Sequence, residues 1–191
     1  PNVSPRMITN NWLPFFPPRY ALELVSSILG HRAQSVDPNN WEVVYVTRND
    51  AGVRRVLPDE KPLLNALKGV VGESRFKVFV ATGLSLTQQI ESMHKAAIII
   101  GPHGAGISNM MWAPKGAAVI LFPMRPVSDI CFAHMAAALG HSYREVSSLT
   151  SYYYADYTLT STAIQDAVTE LRSAIASLGL STVASNTHKE L

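Results

Sequence analysis

Two short stretches of the chain carry residues whose types and spacing suit the binding of an anion. In the first, the apolar run Ala97-Ile98-Ile99-Ile100 stops at Gly101-Pro102-His103-Gly104-Ala105-Gly106, a glycine-rich turn holding one histidine and leading on to Asn109. Glycines let backbone amides approach a ligand with no Cβ in the way. A helix start beyond such a turn adds free N–H groups and the positive end of the helix dipole. Those are the requirements of a diphosphate cradle, yet a turn that only reverses the chain has the same spacing. The order is G-x-x-G-x-G, which is neither the dinucleotide fingerprint G-x-G-x-x-G nor a phosphate loop ending in G-K-[ST]. His103 stays open between a ligand contact, a catalytic group and a backbone hydrogen-bond partner.

The second stretch is YVTRNDAGVRRVLPDE, in which Arg48 directly follows the β-branched and aromatic run 41–47 and Arg54 and Arg55 stand a few residues on. The planar guanidinium fork matches two phosphate oxygens at once. Solvated surface arginines are the alternative, more so for Arg54 than for Arg48.

The elements that position these residues are legible as an alternation. Residues 41–47 (WEVVYVT), 76–80 (FKVFV), 97–100 (AIII), 117–122 (AAVILF) and about 142–146 read as strands, short and mostly without polar alternation. Such strands suit a parallel sheet buried on both faces. Helices are expected over 19–31, 60–69, 85–96 with Ser85 as cap, about 105–111, 128–140 and 162–178. The fold class is therefore α/β, a doubly wound, Rossmann-like parallel sheet. In such sheets ligands bind at the carboxyl ends of the strands, which is where Arg48 and the glycine turn both lie.

Residues 1–18 hold five prolines and no periodicity and are expected to form an extended arm; 19–178 form the folded lobe, and 179–191 a polar, flexible tail. With 16 Lys+Arg against 14 Asp+Glu, the net charge of +2 leaves no electrostatic footprint for nucleic acid or an anionic membrane. No apolar run approaches the roughly 18 residues of a membrane span. Cys131 is the single cysteine, which excludes an intrachain disulfide and a multi-cysteine metal site, and it is expected to be buried in its helix. The chain has no D-x-D and no tight Asp/Glu/His cluster, so no metal site is expected.

The string GLSLTQQIESMHKAAIIIGPHGAGISNMMWAPKGAAVILFP, with VTRNDAGVRRVLPDE before it and LGHSYREV after it, resembles the carboxyl-terminal half of glycosyltransferase family 61. The resemblance runs over about residues 20–178 and centres on G-P-H-G-A-G-[IL]-x-N followed by P-x-G-A. It implies one lobe of a GT-B fold, in which two Rossmann-like lobes face each other across a cleft. The implied chemistry is transfer of a sugar from a nucleotide donor, a UDP-sugar, with inversion and without an obligatory metal or other cofactor. The implied acceptor is a glycan or a protein.

Carried onto this chain, the resemblance implies that Arg48, Arg55 and the amides of Gly104, Ala105 and Gly106 hold the diphosphate, that Asn109 holds the loop, and that His103 lies near the donor phosphate or sugar. Gln89 matches a glutamine of the preceding helix. The catalytic base is left unassigned, since in this fold it commonly comes from the amino-terminal lobe. A two-lobed enzyme needs about twice this length, so the chain is expected to be a donor-binding half whose partner lobe, or another chain, packs on residues 1–40. If the source is eukaryotic, the resemblance implies the lumen of the Golgi or the endoplasmic reticulum.

One departure weighs on activity: Pro58-Asp59 stands where the family has asparagine followed by an acidic residue. The chain is thus either the donor lobe of a transferase or a transferase-derived domain serving as a structural subunit. The tyrosines at 152, 153, 154 and 157 offer stacking surfaces for a base or sugar, or packing against a neighbour.

Overall fold

The computed structural model describes residues 34–49, 55–125, 130–152 and 155–182, together with Ser27. The expected arm 1–18, the helix 19–31 apart from Ser27, which is helical, and nearly all of the tail lie outside the described residues.

Among the described residues, five short strands form one wholly parallel sheet: β1 (Glu42–Val46), β2 (Phe76–Phe79), β3 (Ala96–Pro102), β4 (Ala118–Phe122) and β5 (Ser142–Glu145). They lie in the order β2-β1-β3-β4-β5. The α-helices α1 (Lys61–Val71), α2 (Leu86–Met93), α3 (Cys131–Leu139) and α4 (Ser161–Ser177) alternate with them. The glycine turn leads into a 3₁₀ segment, Ala105–Trp112, where the sequence reading expects a short helix.

The apolar strands are continuous because both their faces are covered. Val43, Tyr45, Ile98, Ile100, Ile120 and Phe122 pack against Leu63 and Leu67 of α1 and Ala167 and Leu171 of α4. Their sequence neighbours Val44, Val46, Ile99, Val119 and Leu121 point the other way, onto Met93 of α2, Phe132 and Met135 of α3, and Ile107 and Met110 of the 3₁₀ segment. A period of two thus divides each strand between two cores. The edge strands carry exposed polar residues, Lys77 on β2 and Ser142 on β5. Cys131 is half-buried at the start of α3 rather than fully buried, because the first turn of the helix sits at the rim of the second core.

Local chemistry sets the helix starts. Ser85 Oγ accepts from the Gln88 N–H at 3.3 Å while Gln88 Oε1 accepts from the Ser85 N–H at 2.9 Å, a reciprocal cap for α2. Thr160 caps α4 through the Ala163 N–H at 3.1 Å. At the other side of the sheet, His141 is buried and its Nε2 lies 3.0 Å from the Met110 carbonyl, tying the start of β5 to the 3₁₀ segment.

The order of the strands matters most. From β1 the chain steps outward to β2, then returns across β1 to β3 and continues outward through β4 and β5. The connections leave β1 and β3 in opposite directions, which opens a crevice at the carboxyl ends of these two strands. Close approach of the two strands is built in: a Cβ on Gly101 would run into the Val46 carbonyl oxygen and come within 3.3 Å of the Val46 carbonyl carbon and Cβ.

Gly101→Ala is therefore expected to destabilise the fold by roughly 1–3 kcal/mol, since the obstacle is backbone and cannot step aside. Gly69→Ala, exposed in α1 with nothing within 4 Å of the added methyl, is expected to stabilise by about 0.5–1 kcal/mol. Thermal melts of the two variants, compared with the parent, check both signs. A pH series tests His141. Burial lowers its pKa from 6.5, against the opposing pull of the Met110 carbonyl. The unfolded chain then takes up a proton that the folded chain refuses, so stability is full above about 6.5 and falls as pH drops from there toward the folded-state value. His141→Gln is expected to flatten that acid slope in thermal melts.

Candidate functional site

At the crevice, the sequence places a polar residue at the end of each strand. Thr47 and Arg48 follow β1, and His103 and Gly104 follow β3. The space over Gly104 is taken by Arg48: a Cβ there would fall on Arg48 Nη1 and lie 2.8 Å from Cζ. An absent side chain at 104 thus seats a guanidinium against the loop backbone. Gly106 is crowded as well, with Val46 Cγ1 2.8 Å from where its Cβ would stand.

Beyond Gly104 the backbone turns at once into the 3₁₀ segment. The Ile107 N–H donates to the Gly104 carbonyl at 3.0 Å, and Asn109 Nδ2 donates to the Gly106 carbonyl at 3.1 Å. Asn109 is buried and so ties the loop from within. The amides of Gly104, Ala105 and Gly106 stand at the amino end of this segment, where N–H groups lack intrahelical acceptors.

His103 is buried, with 5% of its surface exposed. Its N–H donates to the Phe122 carbonyl at 3.0 Å and lies 3.1 Å from the Tyr157 hydroxyl, which itself donates to the Phe122 carbonyl at 2.6 Å. The ring packs against that of Phe132 in a T-shaped arrangement, with centroids 4.9 Å apart. Arg55 Nη1 lies 3.1 Å from His103 Nδ1 and 3.5 Å from Met124 Sδ.

A second set of side chains holds the segment that carries the arginines. Thr47 Oγ1 donates to the Glu60 carboxylate at 3.0 Å, and the Tyr45 hydroxyl donates to it at 3.0 Å. Asn49 clamps Leu57 twice, accepting its N–H at 3.2 Å and donating to its carbonyl at 3.0 Å. Burial, reinforced by the Glu60 charge, raises the Tyr45 pKa well above the usual value, so its hydroxyl keeps its proton and donates. Burial also raises the Tyr157 pKa, while the positive charges of Arg55 and Arg48 act against that rise.

Of the residues singled out in the sequence, Arg48, Arg55, His103, Gly104, Ala105, Gly106 and Asn109 gather at one end of the sheet. Arg54, Tyr153 and Tyr154 lie outside the described residues. Gln89 does not extend into this cluster through its amide, which donates to the Leu84 carbonyl at 3.2 Å at the head of its own helix. Tyr152 is exposed, and Tyr157 is a buried bracket rather than a stacking surface. Tyr45, Thr47 and Glu60 escaped the sequence reading, which takes Tyr157 only as a stacking or packing surface. Thr47 had a signal, a hydroxyl at the mouth of an apolar strand; the bracing role of Tyr157 had none, since its partners His103 and Phe122 are distant in sequence. Among the described residues no group of three or more His, Cys, Asp or Glu side chains could hold a metal ion, and no helix is long and apolar enough to cross a membrane.

No curated protein matches the chain. A family model, Glycosyltransferase 61, matches residues 5–120. That segment is more than half of the 191 residues, and it runs through both arginines at the mouth of β1 and the glycine loop at the mouth of β3, so the chain belongs to glycosyltransferase family 61.

Proposed function

We propose that the chain is the donor-binding lobe of a GT-B glycosyltransferase and holds a nucleotide sugar, UDP-linked, at the crevice between β1 and β3. The single observation that carries this reading is the seating of Arg48 on the bare backbone of Gly104 at the switch point of the sheet. One cation, the amides at the head of the 3₁₀ segment and Arg55 beyond His103 then converge where an anion is best received. The acceptor is a glycan or a protein.

In an inverting transfer the bond between the sugar C1 and the β-phosphate oxygen breaks with its electron pair left on the phosphate. The acceptor oxygen bonds to C1 from the opposite face, and its proton passes to a base. Negative charge thus grows on the diphosphate as the reaction proceeds. Fixed amides and guanidinium groups stabilise that charge more than they stabilise the ground state, which makes a metal ion dispensable. The base on the acceptor side belongs to the second lobe in this reading, packed on residues 1–40.

A second reading, a structural subunit without catalysis, is favoured by one observation. Pro58 and Asp59, exposed in the turn before Glu60, replace the asparagine and acidic residue of the family pattern, and proline removes a backbone donor there.

Calorimetry with UDP separates the two: binding is expected, and a folded sample that takes up no heat at millimolar ligand favours the structural subunit. Arg48→Ala is expected to weaken UDP by about 10–100-fold, the loss of charge-assisted hydrogen bonds to phosphate. Gly104→Ala should leave the melting temperature nearly unchanged, because the new methyl meets the movable end of a side chain, yet it should weaken UDP comparably by displacing Arg48. The double variant should then lose little more than either single one; full additivity would show that Arg48 and Gly104 act separately.

A further inference from the structure

We infer that Arg55 is a positioning residue whose guanidinium holds His103 in the Nε2–H tautomer, so that the histidine of the glycine loop enters the site as a hydrogen-bond donor and not as a base. The starting point is the 3.1 Å contact between Arg55 Nη1 and His103 Nδ1. A guanidinium has five donors, no acceptor, and does not give up its proton in a protein. The hydrogen of that contact therefore belongs to Arg55, and Nδ1 must offer its lone pair. An imidazole accepting at Nδ1 carries its N–H on Nε2. A proton on Nδ1 would set donor against donor within a buried contact.

Neither partner can turn away easily. The His103 backbone is fixed by the Phe122 carbonyl and the Tyr157 hydroxyl, and the Phe132 ring packs against its imidazole in a T-shaped arrangement. Arg55 is the one non-glycine residue with positive φ, +64°, among the described residues. That left-handed conformation is disfavoured for arginine, which has no short polar side chain to support it. It persists because the chain is pinned at Arg55 and at the two residues that follow it. The Arg55 N–H donates to the Ala155 carbonyl at 3.2 Å, the Val56 N–H to Asp156 Oδ1 at 3.1 Å, and the Leu57 N–H to Asn49 Oδ1 at 3.2 Å. The Tyr157 N–H closes the arrangement on the Val56 carbonyl at 2.9 Å. A strained residue held this firmly, with its side chain on the motif histidine, points to a functional constraint on the direction of that side chain.

The consequence for chemistry rests on the nucleotide-sugar reading above. A ring nitrogen that already carries a proton cannot take one from an acceptor hydroxyl. A fixed N–H, by contrast, suits a phosphate oxygen, which only accepts. The deprotonation of the acceptor then falls to another group.

The tautomer can be measured without any ligand. In the full chain labelled with ¹⁵N at its six histidines, the His103 ring is identified as the signals lost in His103→Gln. Long-range proton–nitrogen spectra should show Nε2 in the protonated range and Nδ1 in the unprotonated range. Arg55→Gly and Arg55→Asn, residues that accept positive φ, should remain folded and move the ring toward a mixture of tautomers. A protonated Nδ1 in the parent, or an unchanged tautomer in the folded variants, overturns the inference. As a second readout, His103→Gln, which retains an N–H donor, should keep UDP affinity within a few-fold, while His103→Leu should lose about tenfold or more. Equal losses in both would rule out a donor role for His103. Should the parent chain fail to bind UDP, the nucleotide-sugar reading falls, and the tautomer of the parent still decides the role of Arg55.

Discussion

The close approach of β1 and β3 is the constraint on which the site depends. These two strands lie at the centre of the sheet, and the backbone leaves them in opposite directions. Their mouths are the one place where no crossover helix must cover the carboxyl edge. Gly101 lets the Val46 carbonyl come into contact with the β3 backbone, and Gly106 accepts the Val46 side chain one turn later. A side chain at either position would wedge the strands or lift the loop. Gly104 then leaves room for a cation on the loop itself. The glycines of this turn therefore have separate tasks: one sets the spacing of the sheet, one seats Arg48, and one lets the 3₁₀ segment settle on the strand below.

Around that centre the polar groups are arranged so that each charged residue is oriented by neutral ones. Glu60 stands at the amino end of α1, where Tyr45 and Thr47 both donate to its carboxylate. It thereby draws the segment after β1 back onto the strand it left. Asn49 repeats the device two residues on, closing a pair of hydrogen bonds with Leu57. Arg55, Val56 and Leu57 are held in turn by Ala155, Asp156 and Asn49. Hydrogen bonds between neutral donors and a partly buried carboxylate stabilise modestly, but leaving such a carboxylate unmatched is expensive, so the segment has one good arrangement.

Much of this was legible in the sequence, and for a physical reason. Unbroken apolar runs such as Ala97–Ile100 and Ala118–Phe122 suit strands covered on both faces, and Ser85 declared the cap of the helix that follows it; the helix expected over 60–69 instead runs through Gly69 to Val71 and ends at Gly72. The five strands and the later helices accordingly fall within a few residues of where the pattern puts them. Arg48 and the loop from Gly101 to Asn109 were readable because each directly follows a strand. What could not be read is what depends on contacts between distant segments. The positive φ of Arg55 has no signature in an arginine, and Tyr157 could be read only as one of a cluster of tyrosines, because the partners it braces, His103 and Phe122, lie 54 and 35 residues away. The 3₁₀ character of Ala105–Trp112 was likewise hidden, since a short apolar run after a glycine turn fits either kind of helix.

The hydrogen bond between Val56 and Asp156 bridges a sequence separation of 100 residues. With the neighbouring Arg55–Ala155 and Val56–Tyr157 pairs, it fastens the loop after β1 to a segment that follows all five strands. Closing so long a loop carries an entropic penalty that local contacts cannot offset, so such pairings form late in folding. During synthesis the sheet can be laid down strand by strand as the chain emerges, while Arg55 and His103 wait for residues 155–157 to arrive. The order in which this lobe is made thus differs from the order in which it becomes competent: the scaffold is early, and the orientation of its histidine is among the last things the chain acquires.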